Sequence, residues 1–153
     1  MDDSDLNGLY FAIGYVVMKW AFIEQEIAMC CARVLRIAPT DKPPRDLSRS
    51  VSFLRKSLLE RPELALFSED GVKLMDRISG EKDYRQDLAH STLRDFDCSG
   101  GIFHFSKIKQ SGDTLSRHDW DFEVSGFQGK SQRLGVLADD LENYTRRFLT
   151  GLQ

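Results

Sequence analysis

Residues 6–37 have the sequence LNGLYFAIGYVVMKWAFIEQEIAMCCARVLRI, in which apolar side chains recur at alternating steps of three and four. Such a stripe lies on one face of a helix, and its length predicts a long first helix that packs against other helices at a shallow angle. The stripe consists of Leu6, Leu9, Ile13, Val16, Trp20, Ile23, Ile27, Cys30, Val34 and Ile37. The buried face is expected to be widened by four neighbours: Tyr10, Val17, Glu24 and Cys31.

Three further helices and one β-hairpin are predicted downstream. Pro39, Pro43 and Pro44 end the first helix, because proline neither donates a backbone hydrogen bond nor continues the turn. Apolar spacing predicts a second helix over residues 47–58, stopped by Pro62, and a third from about residue 68, with Ser68 as its cap, to about residue 90. A fourth is expected from about residue 129 to about residue 149.

Residues 115–124 alternate between apolar and polar side chains, with Trp120 and Phe122 on the apolar side. Residues 102–109 also predict a strand, and the residues Gln110-Ser111-Gly112-Asp113 between the two are typical of a turn, so together they predict a hairpin. The expected fold class is mainly α: an antiparallel four-helix bundle with a β-hairpin inserted before the last helix, in one domain covering residues 1–153. The broad apolar face of the first helix also predicts a homodimer.

The composition of the chain limits the classes of function. Its 153 residues carry a formal net charge of -3, which argues against nonspecific coating of nucleic acid but allows a local basic patch. The longest apolar run, residues 9–18, is too short to cross a bilayer, and the acidic start is unlike a signal peptide. A cytoplasmic protein without a membrane partner is therefore expected. Cys30, Cys31 and Cys98 have no metal-ligand spacing, so neither a metal nor another cofactor is expected, and the first two are interpreted as apolar fillers.

Arg85 and His90 are the residues best suited to chemistry. Arginine keeps its charge and binds phosphate, while a neutral histidine exchanges a proton near pH 7. Arg85 falls in phase with the apolar stripe of the third helix, where an unpaired charge is costly. The structural alternative is a salt bridge from Arg85 to a carboxylate such as Glu24, with His90 capping the helix end. On an ideal helix the two residues lie about 140° apart, so they converge only if the helix frays, if the arginine reaches across, or if two subunits share a site.

The string Tyr84-Arg85-Gln86-Asp87-Leu88-Ala89-His90-Ser91, together with Trp20-Ala21-Phe22-Ile23-Glu24 on the first helix, resembles the HEPN domains of prokaryotic toxin and defence systems. The resemblance implies four antiparallel helices, and a homodimer in which the motifs of two chains meet. It also implies a metal-independent ribonuclease with Arg85 and His90 as catalytic residues. The implied partners are RNA and a cognate antitoxin or nucleotidyltransferase. Gln86 departs from the Asn, Asp or His usual in active members, and residues 102–124 are an addition to the family pattern. Many such domains are not catalytic, so the alternative is a helical dimerisation or interaction module, or the inert partner of a toxin or nucleotidyltransferase.

Several residues are expected to support this site. Glu24 is interpreted as orienting Arg85, and Tyr84, Gln86 and Asp87 flank the motif as pocket lining or as solvated surface. Around the second helix, contacts to an RNA backbone are assigned to four basic residues: Arg45, Arg49, Arg55 and Lys56. A solvated face is the alternative for this basic segment. His104 and His118 are expected to face each other across the hairpin, but two histidines alone are a poor ligand set for a metal.

Overall fold

The computed structural model describes the backbone of residues 3–152 and the side chains of residues 7–152, so the predicted stripe position Leu6 lies outside the described side chains. The elements in chain order are α1 (Asp3–Ile37), α2 (Leu47–Glu60), a short 3-10 turn (Pro62–Leu64), α3 (Ala65–His90), β1 (Thr92–Asp97), β2 (Ile102–Ser111), β3 (Thr114–Glu123) and α4 (Val124–Gly151). No helix in this part of the chain combines the length and the apolar content needed to span a bilayer.

Local chemistry sets the ends of α2 and the start of α3. The Asp46 carboxylate accepts a hydrogen bond from the Arg49 backbone N–H at 2.8 Å and so caps the N-terminus of α2. Pro62 then opens a 3-10 turn, whose first position needs no backbone donor. α3 continues directly from this turn at Ala65. The prediction that Ser68 caps this helix is therefore wrong, because the preceding turn already supplies the helical start.

The chain divides into two compact units. The sheet unit comprises Met1–Met18 and Asp83–Leu134, which include the start of α1, the end of α3, the three strands and the start of α4. The helical unit comprises Lys19–Lys82 and Gly135–Gln153.

The core of the helical unit consists of the apolar stripes that the sequence predicts. Its buried side chains include Trp20, Ile23, Ile27 and Val34 from α1, Val51, Leu54 and Leu58 from α2, Leu74, Met75 and Ile78 from α3, and Leu137, Leu141, Tyr144 and Phe148 from α4. Cys30 and Cys31 are buried among them, and burial raises the pKa of their thiols to about 11 and about 12 respectively. Both thiols stay protonated at neutral pH, so their interpretation as apolar fillers is confirmed.

The sheet unit is built on a three-stranded antiparallel sheet with the strand order β1-β2-β3. Phe103 pairs with Phe122 and Phe105 with Trp120, so these aromatic side chains share one face. Around this face lies a hydrophobic cluster: Leu9, Ile13, Tyr84, Leu93, Phe96, Phe103, Phe105, Trp120, Phe122 and Phe127. β2 and β3 are joined at Gly112, whose φ of +59° is a conformation that glycine adopts without strain.

The predicted fold class is wrong. The sequence predicts an antiparallel four-helix bundle with a two-stranded hairpin, whereas the β-region contains a third strand, β1, and the bundle is not confirmed. β1 could not be recognised from alternating side chains in the sequence, because its register with β2 shifts between Leu93 and Asp95. Arg94 is the extra residue of this β-bulge, and Leu93 and Phe96 therefore join the same cluster although they are three positions apart. The bulge removes the period of two by which a strand is recognised.

The face of α1 that is covered also differs from the prediction. Tyr10 and Val17 are 66% and 45% exposed, so they do not widen the buried face. Phe11 and Met18, at 75% and 73%, are exposed beside them. Residues 8–18 of α1 include no charged side chain and are apolar nearly all round the helix, so helical spacing alone does not say which of these positions the rest of the chain covers.

Substitution of Gly71 on α3 tests the packing of the helical unit. A Cβ at this position would lie 2.6 Å from Leu58 Cδ1 and 2.9 Å from Tyr144 Cζ, closer than carbon atoms pack. We expect Gly71→Ala to destabilise the protein by about 1–3 kcal/mol through overpacking. Gly80→Ala is the matched control on the same helix, because its Cβ would meet nothing within 4 Å. The control should stabilise the protein by up to about 1 kcal/mol through helix propensity. Chemical denaturation measures both, and equal stabilities for the two variants would contradict the packing described.

Candidate functional site

The Arg85–His90 segment forms the C-terminal end of α3 in the sheet unit. α3 stays helical to His90, its last residue, and β1 begins two residues later at Thr92. His90 is exposed, and Arg85 is half-buried and has an interaction partner. Five positions on an intact helix separate two side chains by about 140° around the axis and about 7.5 Å along it. Fraying of the helix end therefore does not bring the two residues together.

Tyr84 packs into the hydrophobic cluster of the sheet unit. Its ring stacks against Phe122, with centroids 6.4 Å apart and planes 24° from parallel. The Lys130 ammonium lies 4.3 Å from the centroid of the same ring, a cation–π arrangement. Tyr84 therefore helps to hold the Arg85–His90 segment in place.

Asp87 forms an ion pair with Lys107 of β2. The Lys107 side chain is only 12% exposed and that of Asp87 30%, so neither charge is well solvated. Removing one partner of such a pair leaves a poorly solvated charge behind and costs up to about 3–5 kcal/mol. The ion pair fastens the end of α3 to the central strand of the sheet.

A second contact holds the residue that follows the motif. The Trp120 indole Nε1–H donates to the Ser91 hydroxyl at 2.8 Å. Trp120 also stacks on Phe105, with ring centroids 4.8 Å apart. The strands of the predicted hairpin thus brace the helix end on which the motif lies, while Gln86 is exposed beside it.

Lys107, Trp120 and Lys130 were not predicted to be part of this site. Lys107 could have been predicted from the sequence. It follows Phe103 and Phe105 at a spacing of two, so it lies on the apolar face of β2. A cation at such a position needs a carboxylate, by the same reasoning that singled out Arg85.

Glu24 is half-buried on the part of α1 that belongs to the helical unit. It has an interaction partner, but its predicted role in orienting Arg85 stays a prediction. Glu26 of α1 is more buried than Glu24: it is 6% exposed, and it adds to the rise in the Cys30 pKa that burial mainly causes. Glu26 lies two positions beyond Glu24 and outside the apolar stripe that the sequence predicts.

The basic residues around α2 are largely paired with carboxylates. Arg49 contacts Asp46, Arg55 contacts Asp76 and Lys56 contacts Glu60, at 3.4, 2.8 and 3.9 Å. Arg45 is exposed and has no ion pair with any residue that the structure describes. Lys56 also borders a cavity of about 490 Å³, which Glu60 lines as well. These pairs reduce the positive potential offered to an RNA backbone.

His104 and His118 lie on opposite faces of the sheet. His104 of β2 lies opposite Asp121 of β3. His118 of β3 lies opposite Lys107, which is three residues beyond His104 on β2. The expectation that they face each other is wrong, because successive side chains of a strand alternate between faces. Among the described residues, no group of three or more histidine, cysteine or carboxylate side chains could hold a metal ion.

A measurement of the His104 pKa tests the interactions between charged side chains on the exposed face of the sheet. The Asp121 carboxylate, 2.7 Å from His104 Nδ1, raises the imidazole pKa above 6.5, and Asp95 and Asp97 add to the rise. Since the folded-state pKa is raised, protonated His104 stabilises the sheet below pH 6.5, and this stabilisation is lost as the pH rises through the folded-state value. We expect Asp121→Asn to lower the His104 pKa in an NMR titration.

Asp113→Asn, in the tight turn between β2 and β3, is the control for the loss of one carboxylate and should leave the His104 titration unchanged. A His104 pKa that is the same in the wild-type protein and in Asp121→Asn would show that the contact does not persist in solution.

Comparison of this chain with models of protein families, with curated proteins and with solved structures finds no match. The resemblance to HEPN domains therefore depends on the residues quoted from the sequence alone.

Proposed function

We propose that this protein is a metal-independent endoribonuclease of the kind that its resemblance to HEPN domains implies, with Arg85 and His90 as its catalytic residues. The observation that carries the proposal is the setting of the motif. An exposed histidine ends a helix that is braced by the Asp87–Lys107 ion pair and the Ser91–Trp120 hydrogen bond, with a half-buried arginine one and a half turns earlier. A rigid support of this kind is what a reacting group needs.

The proposed reaction is transfer of a phosphodiester within RNA. His90 takes the proton from a ribose 2′-hydroxyl, whose oxygen then bonds to the adjacent phosphorus. The bond from phosphorus to the 5′-oxygen breaks, and that oxygen receives a proton from water or from a second imidazolium. Arg85 neutralises the charge that builds up on the phosphoryl oxygens. The products are a 2′,3′-cyclic phosphate and a 5′-hydroxyl, and DNA, which lacks the 2′-hydroxyl, is spared.

The angular separation of Arg85 and His90 favours an active form with two chains. Either the long arginine reaches across its own helix, or the arginine of one chain serves the histidine of the other. A homodimer removes the geometric difficulty, since it does not require both groups to share one helix face. RNA-backbone contacts are proposed for Arg45, the α2 arginines Arg49 and Arg55, and Lys56. The proposed site of action is the cytoplasm, with a cognate antitoxin or nucleotidyltransferase as the partner protein.

Cleavage of RNA by point variants tests the proposal. His90→Ala should lower the rate of cleavage of a single-stranded RNA panel by roughly 10²–10⁴-fold, through loss of the general base. The melting temperature should barely change, because the side chain is exposed. His118→Ala, another exposed histidine of the sheet unit, is the matched control and should keep full activity. Cleavage should persist in chelator and leave cyclic phosphate ends.

Arg85→Ala and Arg85→Lys separate catalysis from structure. If Arg85 is catalytic, both variants should lose RNA cleavage and should lose only a little stability. If the wild-type protein leaves the RNA panel intact and Arg85→Ala chiefly lowers the melting temperature, the enzyme proposal fails and Arg85 is a structural residue.

A second candidate function is a non-catalytic dimerisation or interaction module. The observation that favours it is the exposed apolar face of α1 in the sheet unit, formed by Tyr10, Phe11, Val17 and Met18. These residues lie three and four positions on either side of Gly14, so large apolar side chains flank a glycine symmetrically. A two-fold pairing of identical helices needs such a self-complementary face.

The mass of the protein in solution tests the homodimer. Light scattering at micromolar concentration should give twice the chain mass of 17.5 kDa. Phe11→Glu combined with Met18→Glu should return the mass to that of one chain, because charges placed in an apolar interface are costly. Leu66→Glu is the control, since Leu66 is 88% exposed on α3 outside this face. A wild-type mass near 17.5 kDa would exclude a stable homodimer at this concentration.

A further inference from the structure

The hydrophobic cluster of the sheet unit encloses a cavity of about 200 Å³. Four phenylalanines line it, Phe96 and Phe103 from β1 and β2, Phe122 from β3 and Phe127 from α4, and Leu9 and Ala12 of α1 complete the wall. Phe103, Phe122, Leu9 and Ala12 are buried, whereas Gly8 and Val124 at its rim are exposed. The cavity therefore has well-packed walls and an opening at the edge of the unit.

The lining determines which chemical class of ligand fits. None of the described side chains that line the cavity carries a charge or a hydrogen-bonding group, so ions, phosphates and sugars would lose their hydration without compensation. An apolar cavity of roughly 150 Å³ is large enough for a benzene ring. A volume near 200 Å³ thus accommodates one aromatic ring with a short alkyl group, or two fused rings.

The phenylalanines offer both contact geometries that aromatic rings prefer. Phe96 and Phe103 are stacked, with centroids 4.3 Å apart and planes 24° from parallel. Phe122 and Phe127 meet edge to face at 5.7 Å and 65°. A ring placed between them can stack on one pair and receive an edge from the other. We propose that this cavity is a binding site for a small, uncharged aromatic molecule of one or two rings.

The site is separate from the residues proposed for catalysis, since neither Arg85 nor His90 lines it. A nucleobase would need polar partners for its ring nitrogens and carbonyl oxygens, and the lining side chains among residues 7–152 offer none. Binding is accordingly independent of the ribonuclease proposal, and His90→Ala should retain it.

The test uses the full chain with toluene and indole as probes, and with uridine and phenylacetate as polar and charged comparisons. We expect toluene and indole to give saturable NMR shifts at the methyl groups of Leu9, Ala12 and Val124, with half-saturation on the order of 1 mM. Saturating probe should raise the melting temperature by a few degrees, because it binds the folded state. Uridine and phenylacetate should change neither.

Gly8→Leu is the blocking variant, because Gly8 lines the cavity and no described atom lies within 4 Å of a Cβ there, which leaves room for a longer side chain. Gly80→Leu is the matched control, since Gly80 is also an exposed helical glycine with no described atom within 4 Å of a Cβ, but it does not line the cavity. Both changes favour the helix, so neither should unfold the protein. We expect Gly8→Leu to weaken probe binding at least tenfold and Gly80→Leu to leave it unchanged. Absence of saturable shifts in the wild-type protein, or equal binding by both variants, would overturn the proposal.

Discussion

The apolar aromatic face of the sheet is the constraint on which the sheet unit depends. Phe103, Phe105 and Phe122 are large side chains on one face of a small sheet, and exposing them to water would be strongly unfavourable. The start of α1 covers them through Leu9 and Ile13, the end of α3 through Tyr84, and the start of α4 through Phe127. The requirement to cover this face therefore holds three helix ends against the sheet.

Two polar contacts lie at the edge of this apolar cluster, and each joins one particular pair of residues. Lys107 follows the aromatic positions on β2, and its ammonium is matched by Asp87 at the end of α3. Trp120 keeps its ring on Phe105 and directs its N–H to Ser91. A poorly solvated ion pair adds little net stability, but breaking it by removing one partner is costly. These contacts define the position of the helix end more than they strengthen the fold.

The same positioning gives the Arg85–His90 segment its chemical interest. Tyr84 and Asp87, which flank the arginine, are engaged in support, whereas His90 is exposed to solvent. A histidine on a braced helix end combines accessibility with a defined position, as removal of a proton from a bound polymer requires. The ion pairs around α2 weaken the case for a continuous basic surface, so the proposed ribonuclease depends on the motif more than on the charge of the protein.

The sequence by itself indicated four helices, the two longer strands and the turn at Gly112, because periodicity and turn chemistry are local properties of the chain. The starts of α3 and α4 were predicted three and five residues too late, and Val124, predicted as strand, begins α4. It also identified the buried stripes of the helical unit and the apolar role of Cys30 and Cys31. Only the tertiary structure decided which face of α1 is covered, why β1 is a strand, and which carboxylate partners Lys107. Each of these depends on contacts between distant residues: Leu9 rather than Tyr10 meets the aromatic cluster, Arg94 bulges so that Phe96 reaches Phe103, and Asp87 meets a strand twenty residues away. No local spacing records such contacts, because they are set by how the elements pack.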